Sequence, residues 1–326
     1  MAAPTNPETV AASRRKVINS APKFNTLRFN TAFTESAVIV ITHTISGKRS
    51  GRGGSMGRWE TRCRRMMGVV AGLVLGMLYG SPQAHADVSA TWQRAYVSIP
   101  GHIFGGRPIL GKWRDTLVQR GLQRIPDGTD MAAIIFLHGC SGIAREEEAA
   151  RLMFMEAGYA TFFPDSFARA RRRSNCSLEE HRTSLAPEAH SYRVEEIRYA
   201  LEQVRGLPWI DQSRVFVMGF SEGGMAVANY PGNGLAGLVI TGWHCQGRPP
   251  NIGIKSDVTV PVLAILGGED PWYAAKRGEH CGQVFNGRPD ATSLVLPGNG
   301  HAIVNSPILK NAERAKDAII SFLENH

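Results

Sequence analysis

No stretch of this chain reaches the roughly 20 consecutive apolar residues that a membrane-spanning helix needs. The uncharged apolar segment from Gly68 to Tyr79 is too short, so no stable membrane anchor is expected. The chain also lacks a phosphate-cradling P-loop, a dinucleotide-binding glycine fingerprint and zinc-ligand spacing of Cys and His. No cofactor and no metal are therefore expected. Repeats and low-complexity tracts are missing too. Most of the chain even lacks net charge: the formal +9 comes from residues 1–86, with 12 basic against 3 acidic residues, whereas residues 87–326 carry 25 of each. A neutral body offers little electrostatic footprint for nucleic acid. The run Arg169-Ala170-Arg171-Arg172-Arg173 then reads as a solvated face, or as a loop that overhangs a site and favours acidic substrates.

The basic residues mark a leader. Arg58, Arg62, Arg64 and Arg65 precede the apolar segment, and Ala84-His85-Ala86 follows it. A charged start, a short apolar middle and an Ala-x-Ala end form the pattern of a cleaved export signal. The expected organisation is an upstream extension over 1–55, disordered or lying before a true start at Met56, then a signal peptide over 56–86. One domain over 87–326 completes it, periplasmic or secreted. Cysteine is scarce, with 5 in the chain. Cys63 falls in the leader, which leaves Cys140, Cys176, Cys245 and Cys281, an even number for an oxidising compartment. Three pairings are possible. Cys245 and Cys281 both follow strand-end loops, which favours Cys245–Cys281 with Cys140–Cys176 over the other pairings or four free thiols.

What is present is a serine at a sharp turn. The apolar run Val215-Phe216-Val217-Met218 leads into Gly219-Phe220-Ser221-Glu222-Gly223, and small residues follow. A serine hydroxyl is a poor nucleophile unless it is lifted clear of the sheet beside a base and free backbone N–H groups, and a Gly-x-Ser-x-Gly elbow supplies that geometry. In a chain with 35 glycines the motif alone is weak. It requires an acid and then a histidine downstream, each beyond a strand. The run Val260–Leu266 opens into a turn holding Asp270, and Thr292–Pro297 opens into a loop holding His301. Asp270 is the candidate acid and His301 the candidate base. Upstream, the buried-strand run Ala132–Leu137 ends in His138-Gly139-Cys140-Ser141-Gly142. The backbone N–H groups of Cys140 and Glu222 are the candidate oxyanion donors, and His138 reads as structural because no partner stands at ligand spacing. Trp243 and Trp272 are candidate apolar walls.

Strand-like runs alternate with helical stretches over Arg145–Glu156, Ala189–Val204 and Asn311–Leu323. That alternation predicts a mostly parallel sheet with helices on both faces, and Arg94–Gly111 would supply initial antiparallel strands. With its elbow, acid, base and oxyanion loop, the chain resembles an α/β-hydrolase from about Ala132 onward, and within that fold the dienelactone hydrolase family. The narrower likeness rests on Pro164-Asp165-Ser166-Phe167-Ala168-Arg169, similar to a segment whose arginine, in those enzymes, holds the substrate carboxylate. The resemblance implies that Arg169 is an anion clamp. Those enzymes carry a cysteine nucleophile where this chain has Ser221, and a glutamate in the oxyanion loop where it has His138-Gly139. The implied activity is hydrolysis of a small-molecule carboxylic ester or lactone through an acyl-enzyme. A serine peptidase of the prolyl oligopeptidase kind shares the order Ser, Asp, His, and a non-catalytic binding protein could share the scaffold.

Overall fold

The computed structural model describes residues 82–326 apart from 171, 173–175, 184–186 and 299. The expected upstream extension and nearly all of the expected signal peptide lie outside the described residues. The chain enters through helix α1 (Pro82–Gln93), which runs across the expected cleavage point after Ala86. Strands β1 (Tyr96–Ile99) and β2 (Ile109–Lys112) pair antiparallel, and α2 (Thr116–Leu122) follows. The main alternation is β3 (Met131–Leu137), α3 (Arg145–Glu156), β4 (Ala160–Phe163), then a two-stranded excursion of β5 (Cys176–Ser177) and β6 (Arg182–Thr183). It continues with α4 (Pro187–Arg205), β7 (Ile210–Phe220), α5 (Glu222–Ala228), β8 (Gly237–Thr241), β9 (Val262–Gly267), β10 (Ala291–Leu296) and α6 (Leu309–Asn325).

The eight-stranded sheet has the order β10-β9-β8-β7-β3-β4-β1-β2. Neighbours from β4 through β10 are parallel, while β1 runs antiparallel to both β4 and β2. Alternation along each strand builds two cores, because successive side chains leave opposite faces. Ala133, Ile135 and Leu137 of β3 join Val215 and Val217 of β7 on the face covered by α1, α4 and α5. Ile134 and Phe136 join Phe216 and Met218 on the face covered by α3 and α6. Both faces of the central strands are buried, which is why these strands read as continuous apolar runs. The first residues of β7 escape that pattern: Asp211, Gln212 and Ser213 are half-buried or exposed, so the strand starts earlier than its apolar run.

Every parallel strand carries its functional loop at its C-terminal end. The segments after β3, β7, β8, β9 and β10 thus meet along one edge of the sheet, where ligands of open α/β sheets bind.

Candidate active site

Ser221 stands between β7 and α5 with φ +56° and ψ −113°, a conformation that costs a non-glycine residue of order 1–3 kcal/mol and persists only where its surroundings enforce it. They do so by close backbone packing. A side chain on Gly219 would strike the backbone of Gly223, one on Gly223 would strike the Leu137 carbonyl, and one on Gly224 would lie 2.7 Å from the Thr241 oxygen. The Ser221 N–H donates to Thr241 O at 2.8 Å, which pins the turn to β8.

His301 Nε2 lies 3.0 Å from Ser221 Oγ, and its Nδ1 lies 2.6 Å from Asp270 Oδ2. Asp270 is 3% exposed, and its other oxygen accepts the Trp272 N–H at 3.0 Å. An Nδ1–H donating to the carboxylate leaves Nε2 free to accept from the serine hydroxyl. The loops that carry Asp270 and His301 touch so closely that a side chain on Gly267 would run into the Gly300 carbonyl, and the Glu269 N–H donates to Gly298 O at 2.9 Å. The structure thus brings together the three side chains that the sequence places 31 and 80 residues apart.

The loop after β3 packs on the elbow: a side chain on Gly139 would touch the Phe220 ring and Ser221 Cβ. Cys140, in this loop, is buried, and Glu222 opens the first turn of α5. Disulfides join Cys140 to Cys176 and Cys245 to Cys281, with Cα separations of 5.9 and 4.8 Å. The first ties the β3 loop to β5, and the second ties the segment after β8 to the segment beyond Asp270.

Trp272 stacks on the His301 imidazole with centroids 5.1 Å apart, and His181 meets Trp272 edge-on at 5.8 Å. Trp243 stands further back, only 8% exposed and stacked on His244 at 4.7 Å. Phe220 lies against His301 with centroids 5.0 Å apart, and Tyr273 stands 6.1 Å away with His244 4.4 Å behind it. Tyr273 donates its hydroxyl to Gly242 O at 3.0 Å, and burial followed by the Asp270 charge pushes its pKa well above the phenol range. Neither Tyr273 nor His244 stands out in the sequence, because each is one more ring in an irregular loop.

Arg169 does not occupy the expected clamp position. Its side chain is 1% exposed, with Nε on Glu196 at 3.0 Å, Nη1 on Asp87 at 2.9 Å and Nη2 on Glu195 at 2.8 Å. Three carboxylates and the Tyr192 carbonyl take four of its five N–H donors, the Tyr192 ring lies 4.7 Å from the guanidinium carbon, and burial keeps the remaining donor from a substrate. Burial opposes its charge, but Glu196, Asp87 and Glu195 outweigh burial and hold its pKa above the usual value. Arg172 is buried as well and pairs with Glu222, whose carboxylate also lies 3.6 Å from Arg193 Nε. Arg193 reaches on to Glu196 at 2.9 Å and donates to the His138 carbonyl. The basic run is thus in part an internal ion network rather than a solvated face.

His138 links that network to the site loop. Its Nε2 accepts the Ser166 N–H at 3.0 Å, so the ring proton sits on Nδ1 and is donated to Gly139 O at 2.7 Å.

Residues 120–325 match the dienelactone hydrolase family. The parallel sheet with its antiparallel end, helices on both faces and a strand-elbow-helix at β7 define an α/β-hydrolase. Within that class the chain belongs to the dienelactone hydrolase family. Similar solved structures include a hyperthermophilic esterase from the archaeon Pyrobaculum calidifontis, 18% identical, covering 74% of this chain and 90% of that one with a TM-score of 0.45. A dienelactone hydrolase-like promiscuous phosphotriesterase, P91, from metagenomic libraries is 16% identical over 61% of this chain and 87% of that one, with a TM-score of 0.48. Est1E from Butyrivibrio proteoclasticus with bound ferulic acid is 15% identical over 71% and 94%, with a TM-score of 0.44. Among curated proteins none matches.

Two outcomes follow from this geometry. Burial first, then Arg193, lower the His138 pKa well below its ordinary value, against the pull of the Gly139 carbonyl. A depressed histidine pKa contributes stability that is complete above the unfolded value of about 6.5 and is lost as pH falls below it. The drop in thermal midpoint from about pH 7.5 to about pH 5.5 should be larger in wild type than in His138→Gln; equal drops would contradict a buried neutral imidazole at His138. For Arg169→Ala, loss of a buried ion-pair partner should cost on the order of 3 kcal/mol in denaturant melts, at the low end because Glu196 keeps Arg193. The ratio of specificity constants for an anionic and a neutral ester of equal length should stay unchanged, and a selective loss for the anionic ester would restore the clamp.

Proposed function

We propose that the protein is an exported serine hydrolase that cleaves carboxylic esters or lactones through an acyl-enzyme. Membership of the dienelactone hydrolase family supports ester hydrolysis in the coarse sense. The observation that carries the finer reading is the unbroken chain from Ser221 Oγ through His301 to the buried Asp270, at 3.0 and 2.6 Å. In this reading His301 Nε2 takes the Ser221 proton as Oγ attacks the ester carbonyl, and Asp270 stabilises the imidazolium that forms. Negative charge on the carbonyl oxygen is met by the backbone N–H groups of Cys140 and Glu222. The imidazolium returns its proton to the leaving alkoxide, and water, deprotonated by the same ring, hydrolyses the acyl-serine. With Arg169 held in its carboxylate cluster, substrate choice falls to the rings of Trp272 and Tyr273 beside His301.

Export is supported by the leader pattern and by two disulfides, which persist in oxidising compartments. No helix of the described residues is long and apolar enough to cross a membrane. N-terminal sequencing of the exported form should begin at Asp87, and a full-length cytoplasmic product would contradict the signal peptide. A chain cut there keeps the Asp87 carboxylate that binds Arg169.

The direct test is the nucleophile. Wild type should turn over p-nitrophenyl acyl esters and be labelled by a fluorophosphonate at Ser221. Ser221→Ala should lose on the order of 10⁴-fold or more in kcat/KM with an unchanged circular dichroism spectrum. Aminoacyl amides turned over faster than esters would favour a peptidase, and a wild type inert to the probe would leave a binding protein.

A further inference from the structure

Glu146, Glu147 and Glu148 open α3, where acidic side chains ordinarily face water and complement the helix dipole. Only Glu148 behaves so, half-exposed and paired with Arg151. Glu146 is 5% exposed and Glu147 is 2% exposed. A buried carboxyl is unfavourable unless hydrogen bonds replace its hydration, and here they do. Glu146 Oε1 accepts from Ile303 N–H at 3.1 Å and from Val304 N–H at 2.7 Å, while Oε2 accepts from Asn305 N–H at 2.8 Å. All three amides belong to the loop that carries His301. Glu147 Oε1 accepts from Gly139 N–H at 3.0 Å and Oε2 from Ala144 N–H at 2.9 Å, so it closes the loop that carries Cys140. The Ala144 bond is half of a helix cap, and the Gly139 bond carries the same carboxyl beyond the cap into the loop.

Burial is the largest influence on both groups and raises both, Glu146 to about 7, while the amide donors pull the other way. The chemistry set out above uses neither carboxyl. Successive residues on a helix point about 100° apart, so one rigid turn can grip two loops on different sides. We propose that Glu146 and Glu147 form a paired positioning element, which sets the base loop and the oxyanion loop at a fixed distance from each other across Ser221. This rests on the serine hydrolase reading. A misplacement of about 1 Å between reacting groups can cost on the order of 100-fold, so the pair acts on rate without touching substrate.

The test is Glu146→Gln, which keeps the shape but replaces one acceptor oxygen with a donor that cannot receive a backbone N–H. On a neutral p-nitrophenyl ester, kcat should fall about 10- to 100-fold with KM within about 3-fold. Fluorophosphonate should still titrate one serine per chain, more slowly. Glu146→Asp, which keeps both acceptors on a shorter arm, should recover part of kcat, and it decides by the same criterion if the glutamine variant does not fold. Amide hydrogen exchange should quicken at Ile303, Val304 and Asn305 in Glu146→Gln, and at Gly139 and Ala144 in Glu147→Gln. A merely structural role would lower the number of titratable serines or the thermal midpoint and leave kcat per titrated serine at the wild-type level; that result overturns the proposal. A wild type that never reacts with the probe overturns the hydrolase reading instead, and the positioning role falls with it.

Discussion

The contact between the backbones of β3, β7, β8 and α5 at Ser221 is the constraint on which the rest of the site depends. The turn holds φ +56° at a residue with a side chain, and that strain persists because the surrounding backbone has no slack. Gly223 lies against the carbonyl of Leu137, Gly224 against that of Thr241, and Gly219 against Gly223 itself. Any Cβ at these positions would push α5 off the sheet. The central strands are apolar on both faces for a separate reason, since helices bury them from both sides.

Beneath the elbow lies a second constraint of a different kind. Glu222 follows Ser221, and its carboxylate faces inward, to Arg172 and Arg193. From there the network runs through Glu196 to Arg169, Ser166 and, by way of Arg193, the His138 carbonyl. Buried ion pairs of this sort add little net stability compared with a well-packed apolar core, because desolvation offsets their attraction. Their directional bonds do specify geometry. The Ser166 N–H bonded to His138 fixes the imidazole tautomer, and the imidazole in turn bonds Gly139 in the loop above Ser221.

The sequence makes the strands and the three candidate groups Ser221, Asp270 and His301 legible for one reason: each is declared by its immediate neighbours. Val215 to Met218 must be apolar to be buried on both faces; Asp270 stands beyond another such run, β9, and His301 beyond β10, an edge strand whose shorter apolar run is only partly buried. The ion network announces itself nowhere. Arg169 finds its partners 27, 26 and 82 residues away, so a motif match sees the arginine and not the carboxylates that occupy it. A substrate clamp and an internal counter-ion read alike in such a segment. Glu146 and Glu147 are hidden by the opposite effect, since an acidic first turn is the ordinary appearance of a helix start. Their burial follows only from the return of two distant loops onto that turn. Tyr273 and His244 are illegible because their packing depends on the path of irregular segments that no period describes.

These illegible parts share one task. The side chains of Ser221, Asp270 and His301 sit on segments beyond the strand ends, and a loop left to itself samples many conformations, each residue costing about 1–2 kcal/mol to fix. Each site loop is therefore held by something that is not the sheet. The loop carrying Cys140 is held by a disulfide and by Glu147. The segment after Asp270 is held by the disulfide from Cys281 to Cys245 and by Tyr273 on Gly242. The loop carrying His301 has no disulfide, and its restraints include the Trp272 and Phe220 rings on the imidazole, the Glu269 N–H on Gly298 O and the three amides on Glu146. A disulfide would tie that loop to a neighbour at a single residue. A carboxylate that takes three consecutive amides instead sets the position and the orientation of the loop together.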